Sequence, residues 1–224
     1  MARYDLTGGR NEEFEPGSRN RVLRNLLGIT GVREIQAAET DALVEAQFWS
    51  YQDIGEDECF SIGRLCELHR KWLGGIYPFA GEYREVNVSK GIVMFSPAYL
   101  IEQNLAEFEQ SLLSKLTPCR AESHEDLSLQ LAMVHAELIL IHPFREGNGR
   151  HERWLANLMA LQAGYTTLDF GFSGKGSVKR RTAYFEAMGT AFGSKNYNPL
   201  ATVFLEALHR SEQHDHFSKR SESR

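Results

Sequence analysis

The stretch "HPFREGNGRHER", residues 142–153, places two histidines, two acids, three arginines and a glycine-flanked asparagine within twelve residues. An apolar pattern with helical spacing leads into it from Ser123 to Ile141, and a second pattern follows from about Asn148. The stretch therefore predicts a tight corner between two helices. Its glycines relax the steric limits on φ and allow the backbone to come close to a ligand. The corner also opens a new helix, whose first N–H groups and partial positive charge attract anions.

The rest of the chain favours a mainly α-helical fold. Apolar residues recur at helical spacing over residues 30–49, 61–73, 98–116, 123–141, 148–163, 177–189 and 199–210. Residues 82–97 are the exception, because Val86 and Val88 alternate with polar residues ahead of a turn and a second β-prone run. We therefore predict a helical bundle with one small β-hairpin.

Composition limits both the organisation and the partners of the chain. With 224 residues, 42% hydrophobic content and a net charge of -5, the chain is typical of a globular protein without a nucleic-acid surface. We predict a single domain over residues 1–210 and a polar, disordered tail over 211–224. The sequence shows neither a signal peptide nor a membrane-spanning apolar run, which predicts a cytoplasmic protein with no membrane partner. Three cysteines without a C-x-x-C spacing support neither a disulfide framework nor a zinc ribbon.

The charged residues of the 142–153 stretch suit a phosphate ligand. Arg150 and Arg153 lie three apart in the first turn of a helix, where cations oppose the helix dipole unless an anion completes the site. Glu146 beside such an anion fits a Mg²⁺ ion, which takes one or two carboxylates together with substrate phosphates. The Asn148 amide adds a donor, and His142 is the candidate general base. Each position taken alone also fits a solvated helical corner, and only the whole set favours a site.

At these residues the chain resembles the Fic family, whose signature is His-x-Phe-x-Asp/Glu-Gly-Asn-Gly-Arg-x-x-Arg. Every defining position of the signature is filled here. The segments "YPFAGEYREVNVSKG" (77–91) and "GSRNRVLRNLLGI" (17–29) also resemble the family, so that the resemblance covers roughly residues 15–210. It implies a Fic-type helical bundle, and most Fic enzymes transfer AMP from ATP onto a hydroxyl side chain (Tyr, Ser or Thr) of a target protein.

The resemblance also implies roles for individual residues. His142 would be the general base, Glu146 would hold Mg²⁺, and Phe144 would anchor the loop in the core. The anion hole and the phosphate contacts would come from Gly147, Asn148, Gly149, Arg150 and Arg153. Tyr184 is our candidate for a residue beside the nucleotide, although it fits ordinary packing equally well. The hairpin resembles the flap that docks the target by adding a strand to it, with the residues Val88, Ser89, Lys90, Gly91, Ile92, Val93 and Met94. The run Ile92–Phe95 fits simple core packing equally well.

The resemblance bears on regulation and on rival functions as well. Many Fic proteins carry an inhibitory Ser/Thr-x-x-x-Glu-Gly/Asn helix, and no segment of this chain completes that pattern, Ser218–Ser223 coming close. A separate small antitoxin protein is therefore expected, and inhibition by the C-terminal tail of the chain itself stays open. Type II topoisomerase subunits are candidate targets. Transfer of another moiety, such as UMP or phosphocholine, and a catalytically silent binding module stay open. Kinase-type relatives are disfavoured, because they have a lysine where Gly149 stands.

Overall fold

In the computed structural model of the chain, the described residues are 5–7, 13–91 and 93–222. Most of them are helical, which confirms the predicted mainly α fold. The α-helices are α1 (Val32–Asp53), α2 (Ile62–Leu73), α3 (Ile101–Phe108), α4 (Ser114–Leu116), α5 (His124–Ile141), α6 (Asn148–Gln162), α7 (Ser177–Ser194) and α8 (Asn198–Glu222). A 3-10 turn, Ala98–Leu100, precedes α3, and a π-helical turn, Glu109–Leu113, joins α3 to α4.

Local chemistry sets the bounds of α2. The Ser61 side chain accepts a hydrogen bond from the Arg64 backbone N–H at 3.1 Å, which satisfies one of the free donors of the first turn. The helix ends at Gly74, as its sequence predicts. Between these ends it buries an apolar stripe that includes Leu65, Leu68 and Trp72, and it packs against α1.

The strands form one small antiparallel sheet. β2 (Asn87–Lys90) and β3 (Val93–Met94) are the predicted hairpin, which pairs Ser89 with Met94 and Lys90 with Val93. A further strand, β1 (Asp5–Thr7), pairs with the other edge of β2 and was not predicted. The strand order is β1-β2-β3, so β2 is the central strand.

The described residues divide into two compact units whose segments alternate along the chain. Unit 1 contains the segments up to Ile54, Phe60–Gln110 and Ile141–His151. Unit 2 contains the segments Gly55–Cys59, Ser111–Leu140 and Glu152 onward. The assignment of residues 1–210 to a single domain stays a prediction.

The C-terminal segment differs from its prediction. We predicted that the last helix ends near residue 210, whereas α8 continues to Glu222. Its side chains in this region have partners: Glu212 contacts His124 Nε2 at 2.7 Å, and Ser211 contacts Thr166 at 2.9 Å. The disorder of residues 211–224 stays a prediction. In the part of the chain that the structure describes, no helix combines the length and apolar character needed to span a bilayer.

Candidate active site

His142 occupies an unusual backbone position directly after α5. Its φ is +53°, in the left-handed region that residues other than glycine seldom adopt. The side chain is buried, and its ring stacks on Phe95, with the ring centroids 3.8 Å apart and the planes 14° from parallel. Phe95 follows β3 directly, so the end of the hairpin forms one wall of the histidine site.

A buried arginine, Arg84, holds the backbone around His142. Its Nε donates to the His142 carbonyl at 2.7 Å, and its backbone N–H donates to the Pro143 carbonyl at 2.8 Å. Its terminal nitrogens donate to the carbonyls of Val86 and Ser96, at the two ends of the hairpin. Burial lowers the pKa of Arg84 to about 10, which leaves it charged at neutral pH. One guanidinium therefore ties the candidate base to the candidate flap.

Asn148 braces the loop that follows. Its Oδ1 accepts from the Phe144 backbone N–H at 2.9 Å, and its Nδ2 donates to the Phe144 carbonyl at 2.8 Å. Phe144 is buried, as the resemblance implies, and stacks on His69 at 3.8 Å between centroids. The side chain that we predicted as an anion donor therefore supports the loop internally, and its role toward an anion stays a prediction.

His69 fixes the backbone of the loop from the other side. Its Nδ1 accepts from the Gly81 N–H at 2.8 Å, so the proton of a neutral ring must be on Nε2, which donates to the Glu146 carbonyl at 3.0 Å. Burial lowers the pKa of His69 to about 4, which keeps the ring in this neutral form. Sequence reasoning missed this histidine because its partners lie far away along the chain.

Gly147 is required by the geometry of the loop. Its φ is +85°, and a Cβ placed on it would lie 2.8 Å from Trp72 Cζ3. Its N–H donates to Glu146 Oε1 at 2.9 Å, so this predicted anion-hole donor points at the neighbouring carboxylate. Gly149 lies in the first turn of α6, as predicted.

Glu146 has the chemistry expected of a magnesium ligand. Its carboxylate is a hard oxygen donor at the loop, and Mg²⁺ takes such a donor together with phosphate oxygens. Among the residues that the structure describes, no group of three or more His, Cys, Asp or Glu side chains could hold a metal ion. Glu146 therefore fits an ion that it shares with a bound phosphate.

Arg150 lies between two carboxylates and an aromatic face. Its Nη2 is 2.6 Å from Glu39 Oε2 and 3.4 Å from Glu146 Oε1. Its guanidinium carbon is 4.7 Å from the centre of the Trp72 ring, a cation–π distance. Glu39, in the middle of α1, carried one signal in the sequence, because it interrupts the apolar stripe of that helix.

Arg153 lies in unit 2, in an aromatic setting. Its guanidinium carbon is 5.7 Å from the Phe172 ring centre. In the same unit the Tyr184 hydroxyl lies 2.7 Å from His135 Nε2, a hydrogen-bonding distance. Burial raises the pKa of Tyr184 to about 12, against the opposing effect of the Arg153 charge. Tyr184 is thus a buried residue near Arg153, and the predicted contact with a nucleotide stays a prediction.

Glu152, between the two motif arginines, is a buried acid in unit 2. It is 1% exposed, and neither carboxyl oxygen has a hydrogen-bond partner within the described ranges. Burial raises the pKa of this carboxyl well above its ordinary value. The group is therefore most stable in its neutral form.

The flap residues differ among themselves in exposure. Val88 on β2 is buried, whereas Met94 on β3 is 79% exposed. Gly91 takes a φ of +60° at the turn of the hairpin. Ser89 and Lys90 lie at the end of β2 before this turn, and Val93 begins β3 after it. Ile92 lies outside the described residues. The apolar residues of the flap are therefore split between core packing and the surface.

Comparisons with known proteins identify the family of this chain. A family model described as the Fic/DOC family matches residues 59–160. "Probable protein adenylyltransferase Fic" of Salmonella typhimurium is 32% identical over 159 residues, which cover 70% of this chain and 76% of that protein. This chain belongs to the Fic/DOC family.

Two further relatives extend the comparison. "Protein adenylyltransferase VbhT" of Bartonella schoenbuchensis is 29% identical over 168 residues, covering 74% of this chain, which spans 33% of that protein's length. The solved structure of the Bartonella tribocorum effector BepC with bound AMPPNP matches with a TM-score of 0.68 and 21% identity, covering 88% of this chain and 98% of that one. The structural match supports the Fic fold, and several relatives are named protein adenylyltransferases.

Proposed function

We propose that this chain is a protein adenylyltransferase that transfers AMP from ATP to a Tyr, Ser or Thr hydroxyl of a target protein. The observation that carries the proposal lies within unit 1. There the buried His142, held by Arg84 and Phe95, is followed by a braced loop that carries Glu146 and by the ion-paired Arg150. The names of the relatives support the same reaction.

The reaction needs a base, a phosphate cradle and charge neutralisation. The hydroxyl oxygen of the target forms a bond to the α-phosphorus of ATP, the bond from that phosphorus to the bridging oxygen of pyrophosphate breaks, and His142 takes the hydroxyl proton. Arg150 and Arg153 bind the β- and γ-phosphates and so stabilise the departing pyrophosphate. Glu146 would hold Mg²⁺, which when bound supplies positive charge to the phosphate oxygens. Amides of the Gly147–Gly149 segment and Asn148 complete the anion site.

The target docks on the flap by strand addition in this proposal. Main-chain pairing tolerates different target sequences, which suits an enzyme that must present a hydroxyl from an extended segment. Because β2 is the central strand of the sheet formed by the described residues, the edges of that sheet open to a target segment are those of β1 and β3. The exposed Met94 on β3 favours the β3 edge, since it offers an apolar contact beside that edge.

Radiolabelled ATP separates the candidate reactions. Purified protein is incubated with lysate, Mg²⁺ and ATP labelled at either the α- or the γ-phosphate, with a His142→Ala protein as the control. Label from the α position alone, absent with the variant, is expected. Label from the γ position would indicate a kinase, and no label from either would favour a catalytically silent module. Labelled UTP and CDP-choline test transfer of UMP or phosphocholine.

We also propose that a separate small antitoxin restrains the enzyme in the cytoplasm, and that type II topoisomerase subunits are among its targets. The sequence supports the first part, because no segment completes the inhibitory pattern whose glutamate would pair with Arg153. Expression of the chain alone should arrest or filament bacteria, whereas the His142→Ala protein should be harmless. Equal growth with both would contradict the toxin assignment. Mass spectrometry of AMP-modified lysate proteins identifies the targets.

A further inference from the structure

Glu39 is a buried acid that no part of the proposed reaction uses. It lies on α1 and is 2% exposed, although it stands among positions that would pack well as apolar residues. Both carboxylate oxygens have partners: Oε2 is 2.6 Å from Arg150 Nη2, and Oε1 accepts from the Tyr77 hydroxyl at 2.6 Å. A carboxylate is costly to remove from water, so its burial calls for a purpose that an apolar side chain would not serve.

Trp72 joins the same cluster and limits the freedom of Arg150. Its Nε1 donates to the Glu39 backbone carbonyl at 2.8 Å, while its ring faces the Arg150 guanidinium at 4.7 Å. The guanidinium is therefore fixed along one edge by a carboxylate and across one face by an indole. Trp72 is also the residue that a Cβ on Gly147 would meet, so the cluster is continuous with the loop.

Two carboxylates contact the same nitrogen of Arg150, at different distances. Glu39 and Glu146 both pair with Nη2 of Arg150, and the contact to Glu39 is shorter by 0.8 Å (3.4 against 2.6 Å). Glu39 is thus the group that fixes the side chain, and Glu146 keeps the weaker contact. Because both pairs use the same nitrogen, the guanidinium can offer other N–H groups of its planar fork to a phosphate without leaving Glu39.

We infer that Glu39 is a positioning residue for Arg150, which it holds ready for the β- and γ-phosphates of a nucleoside triphosphate; this rests on the proposed function. A long arginine side chain loses substantial rotamer freedom when it is fixed. Because Glu39 already fixes the Arg150 side chain in the folded protein, this entropy is lost during folding. The loss therefore does not weaken nucleotide binding. Glu39 acts only through Arg150 and does not itself touch the nucleotide.

The inference predicts an effect that depends on the number of phosphates. In a Glu39→Gln protein the size and the Tyr77 contact are kept and the charge is lost, so the Kd for ATP with Mg²⁺ should rise about tenfold. The Kd for AMP should change by less than about twofold, because AMP lacks the phosphates that Arg150 addresses. Isothermal titration calorimetry measures both. Glu45→Gln, an exposed change on the same helix, is the matched control and should alter neither.

Further variants link the effect to Arg150. Glu39→Asp keeps the charge and should restore part of the ATP affinity. In an Arg150→Gln protein, the further change Glu39→Gln should raise the Kd for ATP by less than about twofold, because both changes remove the same interaction. If Glu39→Gln does not fold, Tyr77→Phe supplies the test. This change keeps the ion pair with Arg150 but removes the hydroxyl that holds the Glu39 carboxylate. The Kd for ATP should rise about threefold, and the Kd for AMP should not change.

The outcomes separate the inference from the proposed function. Wild-type protein that shows no saturable ATP binding overturns the proposed function and this inference with it. Wild-type protein that binds ATP overturns only the inference if Glu39→Gln binds ATP within twofold of wild type, or if it loses ATP and AMP affinity equally. Tighter ATP binding by Glu39→Gln also overturns it, because Glu39 would then compete with the phosphates.

Discussion

The motif loop in unit 1 and Glu152 in unit 2 differ in how their buried polar groups are satisfied. In unit 1, Asn148, His69 and Arg84 each hydrogen-bond the backbone of the motif loop. In unit 2, the Glu152 carboxyl is buried without a hydrogen-bond partner among the described residues. Satisfied networks rigidify a site, whereas unsatisfied polar groups cost free energy. We infer that the loop is held ready for a ligand, and that the buried Glu152 carboxyl is kept at a cost to stability.

The largest expected effect comes from breaking the loop in unit 1. Gly147→Ala forces a residue with a Cβ into a left-handed conformation and against Trp72. The strain and the overpacking together should lower the free energy of unfolding by about 3 kcal/mol. Displacement of the loop should reduce AMP transfer at least about a hundredfold. Urea unfolding and the labelling assay measure the two effects.

The matched control for this change lies in unit 2. Gly189 is helical within α7, and a Cβ placed there meets nothing within 4 Å. Gly189→Ala should therefore raise stability by up to about 1 kcal/mol through helix propensity. A Gly147→Ala protein as stable and active as this control would mean that the loop is not fixed as described.

Acid should destabilise both units, and unit 1 more than unit 2. Burial lowers the pKa of His69 to about 4 and the pKa of His151 and His135 to about 3. The unfolded chain binds protons at these histidines below about pH 6.5, so stability is full above that pH and falls as the pH drops toward the folded pKa values. About 2 kcal/mol per histidine should be lost between pH 7.5 and 5.

Hydrogen exchange at the two pH values assigns this loss to the units. His69 and His151 belong to unit 1 and His135 to unit 2, so amide protection should fall further in unit 1. Stability that is flat between pH 7.5 and 5 would contradict neutral buried histidines.

Glu152 should give unit 2 a pH dependence of the opposite sign. The folded pKa of this carboxyl is raised, so its contribution to stability is full below the unfolded pKa and is lost as the pH rises through the folded pKa. Glu152→Met removes the buried carboxyl and should raise the free energy of unfolding by about 1–2 kcal/mol at pH 8, with a smaller gain at pH 5. Thermal unfolding at both pH values, with the exposed Glu206→Met as control, measures the difference. A destabilised Glu152→Met protein at pH 8 would show that the carboxyl has a partner.

The smallest expected effect concerns the setting of Arg153. Tyr184→Phe removes the hydroxyl that lies 2.7 Å from His135 Nε2 and interacts electrostatically with the Arg153 charge. The Kd for ATP should rise about threefold, and stability should fall by about 1 kcal/mol. Calorimetry compares this protein with Tyr99→Phe, a change at an exposed tyrosine. Unchanged ATP affinity would limit Tyr184 to packing.

The sequence predicted the elements better than it predicted their contacts. Helical spacing located α2, α5 and α6 because their apolar stripes are regular over several turns, and the motif located the loop between α5 and α6. The strand β1 was missed because three residues are too few for alternation to be visible. The continuation of α8 beyond residue 210 was missed because composition does not reveal polar partners such as His124.

The sequence allowed the residues of the 142–153 motif to be named as site candidates, but it did not reveal the residues from other segments that contact them. Histidine, acid and arginine types within 142–153 carry their own chemistry, so they could be named from the chain alone. Glu39, His69 and Arg84 come from distant segments and act by contact, which one sequence without alignment does not reveal. Among these three residues, only Glu39 was noticeable in the sequence, as an acid on the apolar face of its predicted helix. Asn148 was predicted as a donor to an anion, and its bonds to both backbone groups of Phe144 became visible only in three dimensions.

The left-handed backbone of His142 affects the choice of an inactive protein for trapping complexes. Alanine removes the imidazole and also forces an unfavourable residue into that conformation, so the loop is free to relax. Asparagine also lacks a basic ring, yet it tolerates this region of φ better than most side chains. A His142→Asn protein is therefore the better reagent for capturing an undisturbed nucleotide and target together.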